Sequence, residues 1–336
     1  MIRIAINGFG RIGRNTFKAG FGRLKELEFV AVNDLTDTKT LAHLLKHDTN
    51  YGLYEREVSY DEKHVIVDGK KILVLAEKDP TKLPWKDLKI DVVLESTGRF
   101  TDEAGASQHL TAGAKRVIIS APAKGGNVPT YVLGVNGHTY DTKHAVINNA
   151  SCTTNCIAPV ADVIHDAFGV KKALMTTIHS YTADQNLQDG PHKDLRRARA
   201  AAANMVPTST GAAIAVTETL PELKGLFDGL SIRVPTSVVS LADFTFVVGK
   251  STSVDEVNLA IRKACAGPRF KNIMTWTEEP LVSSDFIKNP YSAIVDLGLT
   301  QVVDGDLVKV VAWYDNEWGY SNRLAEMAER VGKSIR

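Results

Sequence analysis

A cysteine at the start of a predicted helix is the first candidate for chemistry in this chain. The stretch Ser-Cys-Thr-Thr-Asn-Cys at 151–156 stands between a strand-like segment and a helical one. Ser151 can cap the helix, which puts Cys152 in the first turn, where free backbone amides and the helix dipole stabilise a thiolate. The alternative for any isolated cysteine is a small buried hydrophobic residue, and we expect this for Cys156 and Cys265. Because C-x-x-x-C is not a usual zinc spacing, the sequence predicts no metal site.

A nucleophilic thiol needs a base, and nine histidines compete for that role. His179 ends a strand-like run over residues 174–178 and enters a polar loop. Folds that alternate strands and helices place reactive groups at strand ends. We therefore favour His179 over surface candidates such as His43, His47 and His64.

A glycine-rich turn follows the first predicted strand. In Asn-Gly-Phe-Gly-Arg-Ile-Gly at 7–13, Gly8 permits a tight turn, Gly10 lets the backbone approach a pyrophosphate, and Gly13 allows close packing of helix and strand. Asp34 follows the second strand, about 20 residues past the last glycine, where a carboxylate binds ribose hydroxyls and repels a 2′-phosphate. The alternatives are an ordinary glycine turn and an aspartate that caps a helix or forms a turn. The combination favours a dinucleotide site for NAD.

Three stretches of the second half could bind anions. The run at 194–199 is locally basic, which indicates either a solvated charge cluster or an arginine that binds a substrate phosphate. Arg233 lies in an otherwise apolar strand and needs either an internal ion pair or a bound phosphate. The residues at 209–212 open a helical pattern and could present hydroxyls and amides to an anion. Together with the dinucleotide site, these stretches point to phosphorylated substrates.

The first half of the chain alternates strands and helices, which is typical of a doubly wound α/β sheet. Helical patterns include Thr38–Lys46 and Asp102–Ala112. Several of the strands are apolar throughout, as in a parallel sheet that is covered on both faces. The predicted strands are Ile2–Asn7, Phe29–Asn33, His64–Val67, Ile72–Leu75, Val92–Glu95, Arg116–Ser120 and Ala145–Asn148.

The second half has longer strands and fewer crossover helices, which predicts an antiparallel or mixed sheet with one covered face. A helix is predicted after Cys152, and Pro159 should bend it. The other predicted helices are Ser209–Leu220, Val254–Cys265 and Tyr320–Lys333, and the predicted strands are Gly229–Val234, Val238–Val248, Ile294–Leu297 and Leu307–Tyr314. We place the domain boundary near Ala150.

Composition excludes several classes of protein. The 336 residues predict about two domains, and 44% hydrophobic with 24% charged residues is ordinary for a globular chain. A net charge of +1 leaves no excess for a nucleic acid. No apolar run is long enough for a membrane span, and the alternating start at 1–6 is unlike a signal peptide. We therefore expect a cytoplasmic protein that requires neither membrane nor nucleic acid.

Five stretches, in the family's order, closely resemble the phosphorylating glyceraldehyde-3-phosphate dehydrogenase family, type I: Asn7–Arg14, Ser151–Cys156, Thr176–Thr182, Pro207–Ala213 and Trp313–Ser321. The resemblance covers essentially the whole chain, and the motif at 151–156 is highly specific. It implies a glycolytic, NAD-dependent homotetramer that acts on glyceraldehyde 3-phosphate and inorganic phosphate. The implied fold is a Rossmann-type doubly wound parallel sheet, formed by 1–150 and 317–336, plus an α+β catalytic domain with a mixed or antiparallel sheet at 151–316.

The resemblance also implies roles for individual residues. Cys152 matches the nucleophile and His179 the base that keeps it as thiolate. Besides Gly8, Gly10, Gly13 and Asp34, the NAD-contacting positions are Arg11, Ile12, Lys78, Thr97, Ser120 and Asn316. Those around inorganic phosphate are Ser151, Thr153, Arg197, Thr210 and Gly211, and those around the substrate's C3 phosphate are Thr182, Asp184 and Arg233. Gly190 stands where many bacterial relatives have a leucine near the adenine, so the preference for NAD depends mainly on Asp34.

The implied mechanism passes through a hemithioacetal and a thioester on Cys152, and phosphate then releases the product as an acyl phosphate. Erythrose-4-phosphate dehydrogenase is the nearest rival, because it shares the cysteine motif and the glycine turn, and the surroundings of Asp296 and of 289–290 resemble it. The stretches at 180–182 and 209–213 look like the glyceraldehyde-phosphate enzyme instead. A non-catalytic NAD-binding regulator is the rival from another class, and it would be expected to lack Cys152 or His179.

Overall fold

The computed structural model describes residues 1–335, which form two compact units. One unit comprises Met1–Tyr131, Tyr140–Ala150 and the chain from Ser321 onward. The other comprises Val132–Thr139 and Ser151–Tyr320. Among the described residues, no helix is long and apolar enough to cross a bilayer.

The first unit is built on the sheet that the sequence predicts to be parallel. Its strand order is β10-β9-β8-β1-β2-β7-β6-β5, and the six strands from β10 to β7 pair in parallel. The edge differs from the prediction, because β6 and β5 join in antiparallel fashion. The elements are β1 (Ile2–Asn7), α1 (Arg11–Gly20), β2 (Leu27–Asn33), α2 (Thr38–Lys46), β3 (His47–Asp48), β4 (Gly52–Leu53), β5 (Val58–Tyr60), β6 (His64–Val67), β7 (Lys70–Leu75), β8 (Val92–Glu95), α3 (Glu103–Thr111), β9 (Arg116–Ile119) and β10 (Val146–Asn148).

Side chains of β1 reach both faces of this sheet, which confirms the doubly wound arrangement. Ala5 belongs to a buried cluster that includes Ala106 of α3. On the opposite face, a Cβ at Gly332 would lie 2.3 Å from Ile2, so the last helix of the chain packs directly on β1. Because both faces are covered, these strands are apolar throughout rather than alternating.

The second unit contains a mixed sheet of order β12-β13-β11-β14-β18-β16-β15, with β17 paired to β18. The pairs β11–β13 and β15–β16 are parallel and the other pairs are antiparallel, in agreement with the predicted mixed sheet. The elements are α4 (Cys152–Phe168), β11 (Val170–Ser180), β12 (Val206–Ser209), α5 (Ala212–Thr219), β13 (Phe227–Val234), β14 (Ser240–Val248), α6 (Val254–Ala266), β15 (Met274–Thr277), β16 (Ala293–Asp296), β17 (Gln301–Val303) and β18 (Leu307–Tyr314). The last helix, α7 (Trp318–Ser334), begins in this unit and belongs to the first unit from Ser321 onward.

The second unit contains one helix with an internal proline and one helix start that differs from the sequence prediction. The helix that follows Ser151 runs unbroken through Pro159 to Phe168. Proline removes one backbone donor there, but the remaining hydrogen bonds and the burial of the helix maintain it. The residues up to Ser209 form strand β12, so helix α5 begins only at Ala212. Buried and exposed residues alternate along β12, as in a half-buried strand.

Strand register brings four chain segments together at one end of this sheet. His179 in β11 lies beside Arg233 in β13. Ser240, the first residue of β14, lies opposite Tyr314, the last residue of β18. Polar residues at strand ends therefore become neighbours although they are far apart in sequence.

Candidate active site

The start of helix α4 places Cys152 where the sequence predicts it. Ser151 is the N-cap, and its hydroxyl accepts a hydrogen bond from the Thr154 amide at 3.0 Å. Cys152 is therefore the first helical residue, and its Sγ lies 3.5 Å from Nε2 of His179. This separation is close enough for a proton to pass between the two groups.

His179 is held in one tautomer by its own strand end. Its Nδ1 lies 2.7 Å from the backbone oxygen of Ser180. A carbonyl oxygen can only accept, so Nδ1 carries the proton and Nε2 of the neutral imidazole presents a lone pair to Cys152. The fold thus presents the correct nitrogen to the thiol for a general base.

Burial controls the charge states of this pair. Burial raises the pKa of the Cys152 thiol above its ordinary value, although the positive charge of Arg233 opposes this. Burial, followed by the charge of Arg233, lowers the pKa of His179 to about 3. Burial thus favours the neutral form of each group. Desolvation is the largest influence on the pKa of the thiol, and the thiolate arises when Sγ transfers its proton to Nε2.

Tyr314 completes the surroundings of the pair, and sequence reasoning did not single it out. Its hydroxyl lies 3.0 Å from Oγ1 of Thr153 and 2.8 Å from Oγ1 of Thr177. Its ring stands edge-on to the imidazole of His179, with centroids 6.0 Å apart. Burial raises the pKa of Tyr314 well above its ordinary value, so the phenol stays neutral. The only sequence signal was its place in the conspicuous stretch at 313–321.

Arg233 is a half-buried cation whose hydrogen bonds go to uncharged oxygens. Its guanidinium donates to Oγ1 of Thr182 at 3.1 Å and to the backbone oxygen of Ser180 at 3.4 Å, while its Nε is buried without a partner. Within residues 1–335, no carboxylate lies in ion-pair contact with it. Of the two sequence-based alternatives, the internal ion pair is therefore the wrong one, and the charge is available to a ligand.

A second cluster of polar groups surrounds Arg197. Its guanidinium donates to Asp184 at 2.5 Å, to Thr208 at 3.0 Å and to the backbone oxygen of Ser209 at 3.2 Å. The basic run is thus not simply a solvated charge cluster, because this arginine is tied to two neighbouring segments. Thr210 and Gly211 directly precede helix α5, and Oγ1 of Thr210 accepts from the amide of Ala212 at 3.2 Å.

Asn316 follows β18 and is buried in the second unit. Its amide oxygen accepts hydrogen bonds from the hydroxyls of Ser180 and Ser240. These bonds leave its amide nitrogen as the group that can donate elsewhere. Neither serine was a candidate in the sequence, although Ser180 stands next to His179.

The first unit contains a cradle that fits a dinucleotide. Gly8 has φ +91°, and a Cβ there would lie 2.7 Å from the backbone of Ser96 and Thr97. A Cβ at Gly13 would lie 2.2 Å from the oxygen of Gly8, whereas Gly10 has open space around it at the start of α1. Only glycines permit this close turn while keeping the helix N-terminus accessible to a pyrophosphate.

A cavity of about 270 Å³ adjoins this turn. Gly8, Gly10, Asp34, Lys78 and Thr97 line it, and they lie at or after the carboxyl ends of the strands, where α/β folds bind ligands. Asp34 accepts from the amide of Phe9 at 2.9 Å. Three further predicted positions lie outside this lining: Ser120 follows β9, Ile12 lies in the first turn of α1, and Arg11 pairs with Asp48 at 2.7 Å.

A buried hydrogen-bond network supports the cradle. Glu95 accepts from the amide of Thr97 at 2.8 Å and from the side chain of Asn7 at 2.6 Å. Asn33 donates to Asn7 at 2.7 Å, and His109 lies 3.0 Å from Glu95. Burial of fully bonded polar groups makes such a network rigid. The sequence offered no signal for it except polar residues at apolar strand ends.

Comparison with known proteins agrees with this geometry. Residues 2–103 match the family described as glyceraldehyde 3-phosphate dehydrogenase, NAD binding domain, and residues 151–316 match its C-terminal domain. The chain is 55% identical to a glyceraldehyde-3-phosphate dehydrogenase of Mycolicibacterium smegmatis, with 99% of each chain covered. It is 55% identical to glyceraldehyde-3-phosphate dehydrogenase 1 of Bacillus cereus and 53% identical to the enzyme of Geobacillus stearothermophilus, with 98% of each chain covered.

Proposed function

The chain belongs to the glyceraldehyde-3-phosphate dehydrogenase family, and we propose that it oxidises D-glyceraldehyde 3-phosphate with NAD and inorganic phosphate to 1,3-bisphosphoglycerate. It is an NAD-dependent oxidoreductase of glycolysis. The observation that carries the proposal is the 3.5 Å approach of Cys152 Sγ to Nε2 of His179, close to the half-buried Arg233, which pairs with no carboxylate among residues 1–335. A covalent thiol mechanism with a phosphorylated substrate requires these three groups together.

Cys152 and His179 carry the chemistry on the protein side. As Sγ attacks the aldehyde carbon, its proton moves to Nε2, and the imidazolium then protonates the new oxyanion to give a hemithioacetal. NAD, held by the glycine turn and Asp34, would supply the acceptor for the hydride of that carbon. His179 takes the hydroxyl proton in the same step, which leaves a thioester on Cys152. A phosphate oxygen then attacks the thioester carbon, the carbon–sulfur bond breaks, and Cys152 leaves as thiolate.

Two anion positions follow from the arginines. Arg233 and Thr182, which are hydrogen-bonded at 3.1 Å, would hold the C3 phosphate of the substrate, with Asp184 nearby. Arg197, with Ser151, Thr153, Thr210 and Gly211, would hold the attacking phosphate. Asp184 of the first position accepts a hydrogen bond from Arg197 of the second at 2.5 Å. This charge-assisted bond holds the Arg197 guanidinium in place between the two anion positions.

In the first unit, the glycine turn would hold the pyrophosphate of NAD, and Asp34 would bind the adenosine ribose. A carboxylate at that place repels a 2′-phosphate, so NAD would be preferred over NADP. Arg11, Ile12, Lys78, Thr97 and Ser120 would supply further contacts, and Asn316 would donate to the nicotinamide. The NAD-binding domain would comprise 1–150 and 317–336, and the catalytic domain 151–316.

Self-association to a homotetramer is part of the proposal. Leu174 on β11 and Ile214 on α5 are two-thirds exposed and line a groove of about 650 Å³ with Leu226 and Phe227. A contiguous apolar surface of this kind is typical of a subunit interface. Light scattering behind size exclusion tests it, and a monomer at micromolar concentration would contradict it. A glycolytic tetramer of this family would act in the cytoplasm.

The direct test is NADH formation from glyceraldehyde 3-phosphate and NAD, with and without inorganic phosphate, with erythrose 4-phosphate in a parallel reaction. Turnover of the triose that requires phosphate is the expected result. A preference for the tetrose would instead indicate the erythrose-4-phosphate enzyme. Bound NAD without turnover of either aldehyde would indicate a non-catalytic regulator.

A further inference from the structure

Three buried polar side chains form a connected group at the strand ends of the second unit. The hydroxyl of Ser240 accepts from the backbone amide of Ser180 at 3.2 Å and donates to the amide oxygen of Asn316 at 3.1 Å. The hydroxyl of Ser180 donates to the same oxygen at 2.9 Å. Ser240 thus connects Ser180 and Asn316, which are 60 and 76 residues away from it in sequence.

This group leads directly to the catalytic base. The backbone oxygen of Ser180 accepts from Nδ1 of His179, and the backbone amide of the same residue donates to Ser240. A shift of Ser180 therefore moves the acceptor that fixes the imidazole tautomer. On its other side, Ser240 restrains Asn316, so that the nitrogen of that amide points away from the serines.

Burial makes these bonds hard to replace. Ser180, Ser240 and Asn316 are each at most 5% exposed, so water cannot easily substitute for a lost hydroxyl. The backbone before Ser240 is also strained, because Val239 has φ +70° and is buried. A β-branched residue rarely adopts this conformation, and strain of this kind persists where the surrounding structure holds it in place for a functional purpose.

We propose that Ser240 is a positioning residue that couples the orientation of the catalytic base to that of the amide facing the nicotinamide. Through Ser180 it keeps His179 aligned with Cys152, and through Asn316 it keeps a donor aimed at the cofactor. The part that concerns Asn316 rests on the proposed function. The part that concerns His179 rests only on the hydrogen bonds described above.

The test compares Ser240→Ala with Ser180→Ala. Ser240→Ala removes the acceptor for the Ser180 amide and one donor to Asn316, so we expect KM for NAD to rise about tenfold and alkylation of Cys152 by iodoacetamide to slow about tenfold. Ser180→Ala removes only a donor to Asn316, so KM for NAD should rise while the alkylation rate stays within twofold of wild type. Ser240→Thr keeps the hydroxyl and should restore both quantities.

Ser292→Ala is the matched control, because Ser292 is buried and its hydroxyl has no hydrogen-bond partner. It should change neither quantity, and thermal melting of every variant reports any loss of folding. The proposed coupling of His179 and Asn316 would be overturned if Ser180→Ala and Ser240→Ala changed both readouts equally. It would also be overturned if Ser240→Ala changed neither. Alkylation needs no aldehyde, and the dissociation constant for NAD can replace KM when there is no turnover. An inactive wild type would therefore refute the proposed function while Ser240 is still tested.

Discussion

Replacing His179 by asparagine tests the central contact of the site. Asparagine keeps a polar side chain of similar reach but cannot accept the thiol proton as a base. A thiolate and an imidazolium at the observed 3.5 Å attract each other by about 5 kcal/mol at an effective dielectric constant of about 20. At about 1.4 kcal/mol for each factor of ten, loss of this attraction slows attack by roughly three powers of ten. General bases typically contribute about 10²- to 10⁴-fold, which agrees with this figure.

The pH dependence provides a second, independent signature. Because the pKa of His179 is lowered to about 3, the imidazole is already neutral well below pH 6 and remains able to accept the proton. Wild-type acylation should therefore be nearly level between pH 6 and 8. In His179→Asn the pKa of Cys152 stays raised by burial, so the rate should increase about tenfold per pH unit over the same range.

The assay is the NADH burst in a stopped-flow single turnover, together with iodoacetamide alkylation as a function of pH. His43→Asn is the control, since His43 is exposed and is not part of the second unit. A loss of less than tenfold at pH 7, or parallel pH profiles for wild type and variant, would show that His179 does not accept the thiol proton.

Three further substitutions test the remaining parts of the site. Cys152→Ser should abolish NADH formation and leave NAD binding intact, and retained activity would show that Cys152 is not the nucleophile. Cys265→Ser should leave turnover unchanged, because burial raises the pKa of the Cys265 thiol to about 12. Asp34→Ala should lower the ratio of NAD to NADP use about tenfold in steady-state kinetics, since a charge-assisted hydrogen bond contributes about 1.5–3 kcal/mol; an unchanged ratio would exclude the ribose role. Arg233→Gln should raise KM for the triose phosphate at least tenfold, with little change for an unphosphorylated aldehyde, and an equal effect on both would point to a structural role.

Much of the fold could be predicted from local patterns. Alternating apolar strands and helices indicated the doubly wound sheet, and the extent of helix α2 at Thr38–Lys46 agrees with the prediction. The antiparallel edge formed by β5 and β6 was not predicted, because β5 has only three residues and was not recognised as a strand. The strand at 206–209 was not predicted, and the helix predicted from Ser209 begins only at Ala212, since four residues are too few for a reliable period.

The candidate site also contains residues that the sequence identified and residues that it did not. Ser151 and Cys152 were recognisable because a cap and a first turn involve residues only three or four apart. Tyr314, Ser180 and Ser240 were not, because their importance comes from contacts across strands. The upward shift of the thiol's pKa was also beyond sequence reasoning, since burial is a property of the packed unit.

The sequence by itself therefore determined the groups that could react and the turns that present them: a thiol at a helix start, a histidine at a strand end, and a glycine turn after a strand. These features depend on backbone geometry within a few residues. The tertiary structure alone decided that Cys152 meets His179, that Arg233 pairs with no carboxylate within residues 1–335, and that Ser240 connects the base to Asn316. Strand register and burial set these long-range contacts, and both arise only when the whole sheet packs.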